Sequence, residues 1–268
     1  MKPTFWLVAV SVATWVGLAG ANVSYEPGFE KRVQQLIRHL DDDRFFVREA
    51  AMAELSRLGS AAAPFLKQAL KENPSVDLRW RIEKLLASCK LNEAIRQAEE
   101  AIAKHEALAS LKFITAASRD DASKQARNLM PDIARAALML RERINEFEQI
   151  EPLVNKEKSE ELRARYYLVY ARLLEQSIRH TEYGHVLAKV RVEALPPLGA
   201  EHVGWRLGTA QKLISRGAEG REARLAQKRR EEILRKVASD FAKTEWGKKA
   251  LEELNKDLGL TWKPSRDS

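Results

Sequence analysis

The histidines come closest to a catalytic or metal-binding pattern. Five are present, and one of them, His185, follows Glu182 in the Glu-x-x-His spacing that places both side chains on one helix face. Di-iron bundles need two such pairs and two more glutamates on facing helices. The chain has no second pair and no His-Glu-x-x-His motif. We therefore favour a solvated or packed histidine over a metal ligand, and predict no metal or cofactor.

Motifs for covalent or nucleotide chemistry are also missing from the sequence. There is no Gly-x-Ser-x-Gly elbow, no P-loop, and no convincing strand that could precede a Gly-x-Gly-x-x-Gly turn. The single cysteine, Cys89, cannot form an internal disulfide, and at the end of a predicted helix it is most simply a small buried residue. We predict that the protein is not an enzyme.

The charge balance raises the question of an anionic partner. Lys and Arg total 46 against 38 Asp and Glu, a net charge of +8. Residues 221–236 form a basic helix, but Glu231 and Glu232 interrupt it and no interleaved aromatics offer stacking platforms for bases. We predict no nucleic-acid partner. An anionic partner would be an acidic protein, a lipid surface or a cell-envelope polysaccharide.

The elements that must position any functional side chain are helices, and residues 41–86 contain an internal repeat of them. The copies are related by 31 residues, from position 47 to position 78. The repeated positions are Val47, Arg48 and Leu55 in the first copy, and Leu78, Arg79 and Leu86 in the second. A helical hairpin of this size needs a stacked neighbour to cover its apolar stripe.

The turn inside the first copy adds a second indication. Leu58-Gly59 is suited to end one helix, and Ser60 and Pro64 to begin a shorter one. The Val-Arg step, the Leu-Gly turn and the Pro-bearing second helix resemble a HEAT repeat. That resemblance implies a protein-interaction scaffold without catalytic residues.

HEAT copies commonly contribute exposed Arg and Asp at the turns between helices. The resemblance therefore makes Arg44, Arg48, Asp77 and Arg79 candidate partner contacts. The alternative for Arg48 and Arg79 is that they only bridge neighbouring repeats.

The apolar pattern also predicts which side chains of the repeats are buried. In the first copy we expect Phe46, Ala50, Ala53 and Leu58 to face inward, followed by Phe65, Leu66 and Leu70. In the second copy we expect the same of Val76, Leu78, Ile82, Leu85 and Leu86. For Trp80 we favour packing over ligand contact.

The first 21 residues read as a secretory signal peptide. Lys2 supplies the positive start, residues 5–18 an apolar run, and 19–21 a small-residue cleavage site. The run is short for a membrane span. We expect export to a periplasm or secretion, without stable membrane insertion after cleavage. The alternative is a retained N-terminal anchor.

Residues 91–195 read as antiparallel helices packed in a bundle. The predicted boundaries are a helix start at Asn92, a break at 118–121, an interruption at Pro131, an end at Pro152, a start at Ser159 and a kink at Gly184.

Residues 196–220 form a Gly/Pro-rich segment that we interpret as a long loop. It holds His202, Trp205 and Arg206, which are candidate contacts because loops often carry function. The alternative, which we favour, is that Trp205 only plugs the end of the bundle. Residues 221–260 resemble a tetratricopeptide-type hairpin, with Thr244 as a cap, and residues 261–268 read as a loose tail.

The predicted fold is therefore all-α, with HEAT-like hairpins over 22–90, a bundle over 91–195 and a C-terminal hairpin. This order of parts resembles exported bacterial proteins that begin with HEAT-like repeats. The predicted function is a non-catalytic exported scaffold that binds a protein partner. The alternative is a ligand-binding or enzymatic domain with its site between the bundle and segment 196–220.

Overall fold

The computed structural model describes residues 28–106, 111–192 and 195–267, and the proposed signal peptide lies outside these ranges. Most of the described chain is helical, which confirms the predicted all-α class. The helices are α1 Phe29–His39, α2 Phe45–Leu58, α3 Ala63–Lys71, α4 Val76–Glu106, α5 Arg119–Lys156, α6 Glu160–Arg191, α7 Gly217–Asp240 and α8 Glu245–Leu254. The strands are β1 Phe113–Thr115, β2 Gly204–Ala210 and β3 Gly259–Ser265. No described helix is long and apolar enough to cross a membrane.

The first three helices and the start of α4 share one apolar core. Val33, Leu55, Leu66 and Ile82 are fully buried in it. The predicted inward set is confirmed for Leu66, Ile82 and Leu85, which are buried, and five further predicted leucines and phenylalanines pack against them: Leu58, Phe65, Leu70, Leu78 and Leu86. It is wrong at the starts of α2 and α4. The side chains of Phe46, Ala50, Ala53, Val76 and Trp80 are exposed.

Helix α4 runs without interruption from this N-terminal core into the bundle, so the predicted helix start at Asn92 is wrong. The amide of Asn92 donates to the carbonyl of Ser88 instead of capping a new helix. Cys89 lies mid-helix and is buried, as expected for a small packed residue, and burial raises the pKa of its thiol.

Helix α6 is the centre of the bundle and packs against α4, α5, α7, α8 and β3. Its residues 166–171 are all buried, because neighbours cover it on every side. The predicted start is confirmed, since the Ser159 hydroxyl accepts the Leu162 N–H at 3.2 Å. Helix α5 continues through Pro131 and Pro152, contrary to the predicted interruption and end, and α6 continues through Gly184.

A three-stranded antiparallel sheet in the order β1-β2-β3 replaces the predicted loop and loose tail. Its two tryptophans anchor it to the rest of the fold. The indole N–H of Trp262 donates to the carbonyl of Val186 in α6 at 2.9 Å, and that of Trp205 to the carbonyl of Pro196 at 2.7 Å. Gly204 is required where β2 meets β1, because a Cβ there would lie 2.0 Å from the Ile114 carbonyl oxygen.

The last two helices form the expected hairpin, packed on α6. Thr244 caps α8 as predicted, accepting the Gly247 N–H. Helix α7 begins earlier than the predicted Arg221, at Gly217, so the end of the predicted loop is the first turn of a helix.

Candidate functional site

Helices α2 and α4 begin side by side and run in the same direction. The Ser75 hydroxyl, just before α4, donates to Asp41 just before α2, at 2.9 Å. One turn further along, the Arg81 guanidinium of α4 lies 3.8 Å from the carboxylate of Glu49 in α2. The two repeat-related helices are therefore in register at their N-terminal ends.

These two helix starts carry four exposed apolar side chains. Phe45 is 68% exposed, Phe46 67%, Val76 87% and Trp80 53%. We call this set the N-terminal aromatic surface. Scattered single apolar residues on a surface need no explanation, but a cluster of large ones is typical of an interaction site.

Two predicted contact residues, Arg44 and Arg48, lie beside the phenylalanines. The Arg44 guanidinium is bound to Asp42 at 3.0 Å and lies 5.6 Å from the centre of the Phe46 ring. This hydrogen bond from Arg44 lowers the pKa of the Asp42 carboxyl to about 2. Arg48 donates to the carbonyls of Asp42 and Asp43, both at 2.8 Å, and lies 5.9 Å from the Phe45 ring. Both arginines thus hold the turn before α2 and stack on its aromatic side chains.

The other two predicted contacts, Asp77 and Arg79, lie in the first turn of α4. Both are exposed. Asp77 accepts from Arg81 at 2.9 Å, whereas no described residue forms an ion pair with Arg79. The link between the repeat-related helices comes from Arg81, which the sequence analysis did not single out. Among the described residues, neither Arg48 nor Arg79 forms an ion pair or side-chain hydrogen bond to the other copy of the repeat.

A groove of about 440 Å³ lies next to Trp80, between α4 and the end of α5. Among its lining residues are the apolar Trp80, Leu91 and Leu153 and the basic Lys84, Lys156 and Lys158. The Lys84 ammonium lies 5.5 Å from the centre of the Trp80 ring. Glu83 and Glu157 also line it, so the groove adds apolar walls and charges of both signs to the N-terminal aromatic surface.

The three candidates of segment 196–220 do not join this surface. Trp205 is buried in the core between the sheet and α6, as the alternative interpretation of this residue expects, with the Arg119 guanidinium 5.6 Å from its ring. The imidazole of His202 accepts the Gly199 N–H at 3.1 Å within the local turn. Arg206 is exposed and stacks on Phe113 at 5.9 Å.

The side chains of Glu182 and His185 accept hydrogen bonds from backbone N–H groups. The two carboxylate oxygens of Glu182 accept the N–H groups of Ile214 and Ser215 at 2.8 and 2.9 Å, and the His185 ring accepts that of Arg216 at 3.0 Å. The pair therefore fixes the segment that leads into α7. In the part of the chain that the structure describes, no three His, Cys, Asp or Glu side chains are grouped to hold a metal ion.

Comparisons with protein-family models, with curated proteins and with solved structures find no match to the chain. Function is therefore inferred from the arrangement of its side chains.

Proposed function

We propose that the protein is a non-catalytic, exported helical scaffold that binds a protein partner through HEAT-like hairpins. The N-terminal aromatic surface is the proposed docking site. The observation that carries the proposal is the exposure of Phe45, Phe46, Val76 and Trp80 on two adjacent helix starts.

The packing of α2 beside α4 supports the repeat interpretation. The sequence offset relates these two helices, and they lie parallel and in register, with Arg81 reaching from one to the other. Stacked hairpins of solenoid proteins present equivalent helix ends along one face in this manner. A partner would contact the same end of both helices.

The side chains of the surface also define the chemistry of the partner. Aromatic residues and arginine are enriched in the buried centres of protein interfaces. Phe45 and Phe46 are flanked by Arg48 and Arg44, and Trp80 by Lys84. The segment of the partner that docks on this surface would carry apolar side chains with carboxylates beside them.

The test is a double substitution, Phe46→Ala with Trp80→Ala. Removing two interface anchors of this kind costs about 2 kcal/mol or more, which corresponds to a roughly thirtyfold weaker Kd. Partners would be captured from cell-envelope extracts with the wild-type chain, and the Kd of a captured protein would then be measured by titration with each variant.

The matched control is Leu225→Ala with Leu251→Ala, which removes two exposed apolar side chains from α7 and α8. Melting temperatures would confirm that both double variants fold. Selective loss of binding by the Phe46 and Trp80 variant supports the proposal. Unchanged binding by that variant, or equal weakening by the control, refutes the docking site.

A further inference from the structure

A second region, between α6 and the start of α7, has the chemistry of an anion-binding site. It forms an open surface cavity of about 810 Å³. Four basic side chains line it: Lys189, Arg216, Arg221 and Arg224. None of the described residues that line it is acidic.

Most of this positive charge is uncompensated. Among the residues that the structure describes, none forms an ion pair with Lys189, Arg216 or Arg221. Arg224 donates to the carbonyl of Ser215 at 3.1 Å, which holds its guanidinium at the cavity wall. These side chains are exposed, so solvent screens part of their repulsion, and an anion among them would offset the rest.

The backbone N–H groups at the start of α7 add to the positive potential of the cavity. Helix α7 has 24 residues and starts at the cavity wall, and its N-cap residue, Arg216, makes no side-chain cap. The first N–H groups of a helix lack intrahelical partners and carry partial positive charge, so this end attracts anions. Gly217 has φ +67° and begins the helix.

An unsatisfied polar group at the cavity indicates a ligand independently of the charges. Ser215 lines the cavity and is only 2% exposed, and its hydroxyl has no hydrogen-bond partner among the described residues. Buried polar groups nearly always have a partner. An oxyanion in the cavity would accept this hydrogen bond.

The site is also held in a fixed geometry. Glu182 and His185 accept three consecutive backbone N–H groups, those of residues 214–216. The wall that carries Ser215 and Arg216 is therefore bound to α6. Such preorganisation reduces the entropy lost when a ligand binds.

We propose that this cavity binds a phosphate group, either as the free ion or as the monoester of a small organic molecule. Arginine and the N-terminal end of a helix are both suited to phosphate oxygens. The cavity is larger than one phosphate needs, and Ala188, Val192 and Leu213 supply apolar wall beside the charges.

The experiment is calorimetric titration of the full-length chain at constant ionic strength with two probes, inorganic phosphate and phenyl phosphate. We expect saturable binding with one phosphate group per chain. Tighter binding of phenyl phosphate identifies a monoester as the ligand, and equal or weaker binding identifies the free ion. Absence of saturable binding by both probes overturns the proposal.

Matched variants separate a built site from general charge attraction. Lys189→Gln with Arg221→Gln removes two charges from the cavity, and Lys228→Gln with Arg235→Gln removes two from the rest of α7. The cavity variant should bind about tenfold more weakly or worse, because charge-assisted contacts are lost, and the control should bind nearly as the wild type does.

Ser215→Ala provides a second readout that leaves the charge unchanged, and we expect severalfold weaker binding. Equal weakening by the two charge variants overturns the proposal. So does wild-type affinity in the cavity variant. Neither variant changes the N-terminal aromatic surface, so the result is independent of the docking proposal.

Discussion

Arg230 offers the sharpest test of how the helices of the bundle are held together. It is only 2% exposed, and its guanidinium donates to the carboxylate of Glu175 at 2.8 Å and to the backbone carbonyl of Glu253 at 2.7 Å. The carboxylate of Glu253 lies 3.7 Å away. One side chain of α7 therefore joins α6 to α8. Replacing it with methionine keeps most of the length and removes all of these contacts.

The expected cost follows from the two carboxylates that remain. Removing one partner of a buried ion pair typically costs about 3–5 kcal/mol, because the other charge stays buried and unpaired. Here Arg179 still binds Glu175 at 3.1 Å, and Lys256 binds Glu253 at 2.7 Å. We therefore expect the low end, about 3 kcal/mol. For a chain of this size that lowers the melting temperature by roughly 6–12 °C.

The assay is urea unfolding followed by far-ultraviolet circular dichroism, with thermal melts alongside. Arg235→Met is the control, because Arg235 lies on the same helix but forms an exposed pair with Glu231, worth about 0.5 kcal/mol or less. Adding Glu175→Gln to Arg230→Met should recover part of the loss, since it removes a buried charge that has lost one of its two partners. If Arg230→Met unfolds at the same urea concentration as the control, the reasoning is refuted.

Two further predictions concern the pH dependence of stability and the close contact between two strands at Gly204. Burial lowers the pKa of His105 and His180, whose rings meet edge to face at 5.8 Å, so the folded chain disfavours their charged forms. The free energy of unfolding should fall as the pH drops below about 6.5, by at most about 1.4 kcal/mol per pH unit for each histidine, because the unfolded chain binds protons first. Urea unfolding at several pH values checks this. If the free energy of unfolding of His180→Phe falls with decreasing pH as steeply as that of the wild type, the prediction is wrong. Gly204→Ala should destabilise the sheet by at least about 1 kcal/mol, because the new Cβ would meet the Ile114 carbonyl. Gly208→Ala in the same strand meets only the Lys263 side chain and serves as control, so equal thermal stability of the two variants would rule out the clash.

Local signals in the sequence predicted two helix caps correctly, at Ser159 and Thr244, and one wrongly, at Asn92. Ser159 and Thr244 accept N–H groups of their own first turns, so a short window holds all the relevant information. Prolines were less reliable as signals of helix breaks and ends. Pro131 and Pro152 were expected to break or end α5, but packing along the length of α6 outweighs the hydrogen bond that each proline removes.

The strands were missed because their partners lie far away in the sequence. Residues 113–115 pair with 204–206, and β2 pairs with the last residues before the C-terminus. A weak signal was present. Trp205, Arg206 and Leu207 alternate between apolar and polar, as do Leu260, Thr261 and Trp262, which is the period of a half-buried strand.

The proposed docking surface was missed for a different reason, which is the phase of α2. Phe45, Phe46 and Val47 are consecutive, and the alanines that follow occupy several faces, so the pattern does not show which side is buried. Ala51 and Leu55 turn inward and leave both phenylalanines in solvent. Assigning Phe46 and Val76 to the core, and favouring packing for Trp80, hid three of the four side chains on which the proposal depends.

The continuity of α4 bears on how such a surface could bind. Its first turns carry Val76 and Trp80, and its later turns place Leu91 and Ile95 in the core of the bundle. A helix held at its far end by a packed core cannot easily reorient at its near end. Binding a partner should therefore order little of the chain, so that a larger share of the apolar contact energy contributes to affinity. The predicted break at Asn92 would have made the hairpins a separately hinged unit, whereas the continuous helix makes them a rigid extension of the bundle.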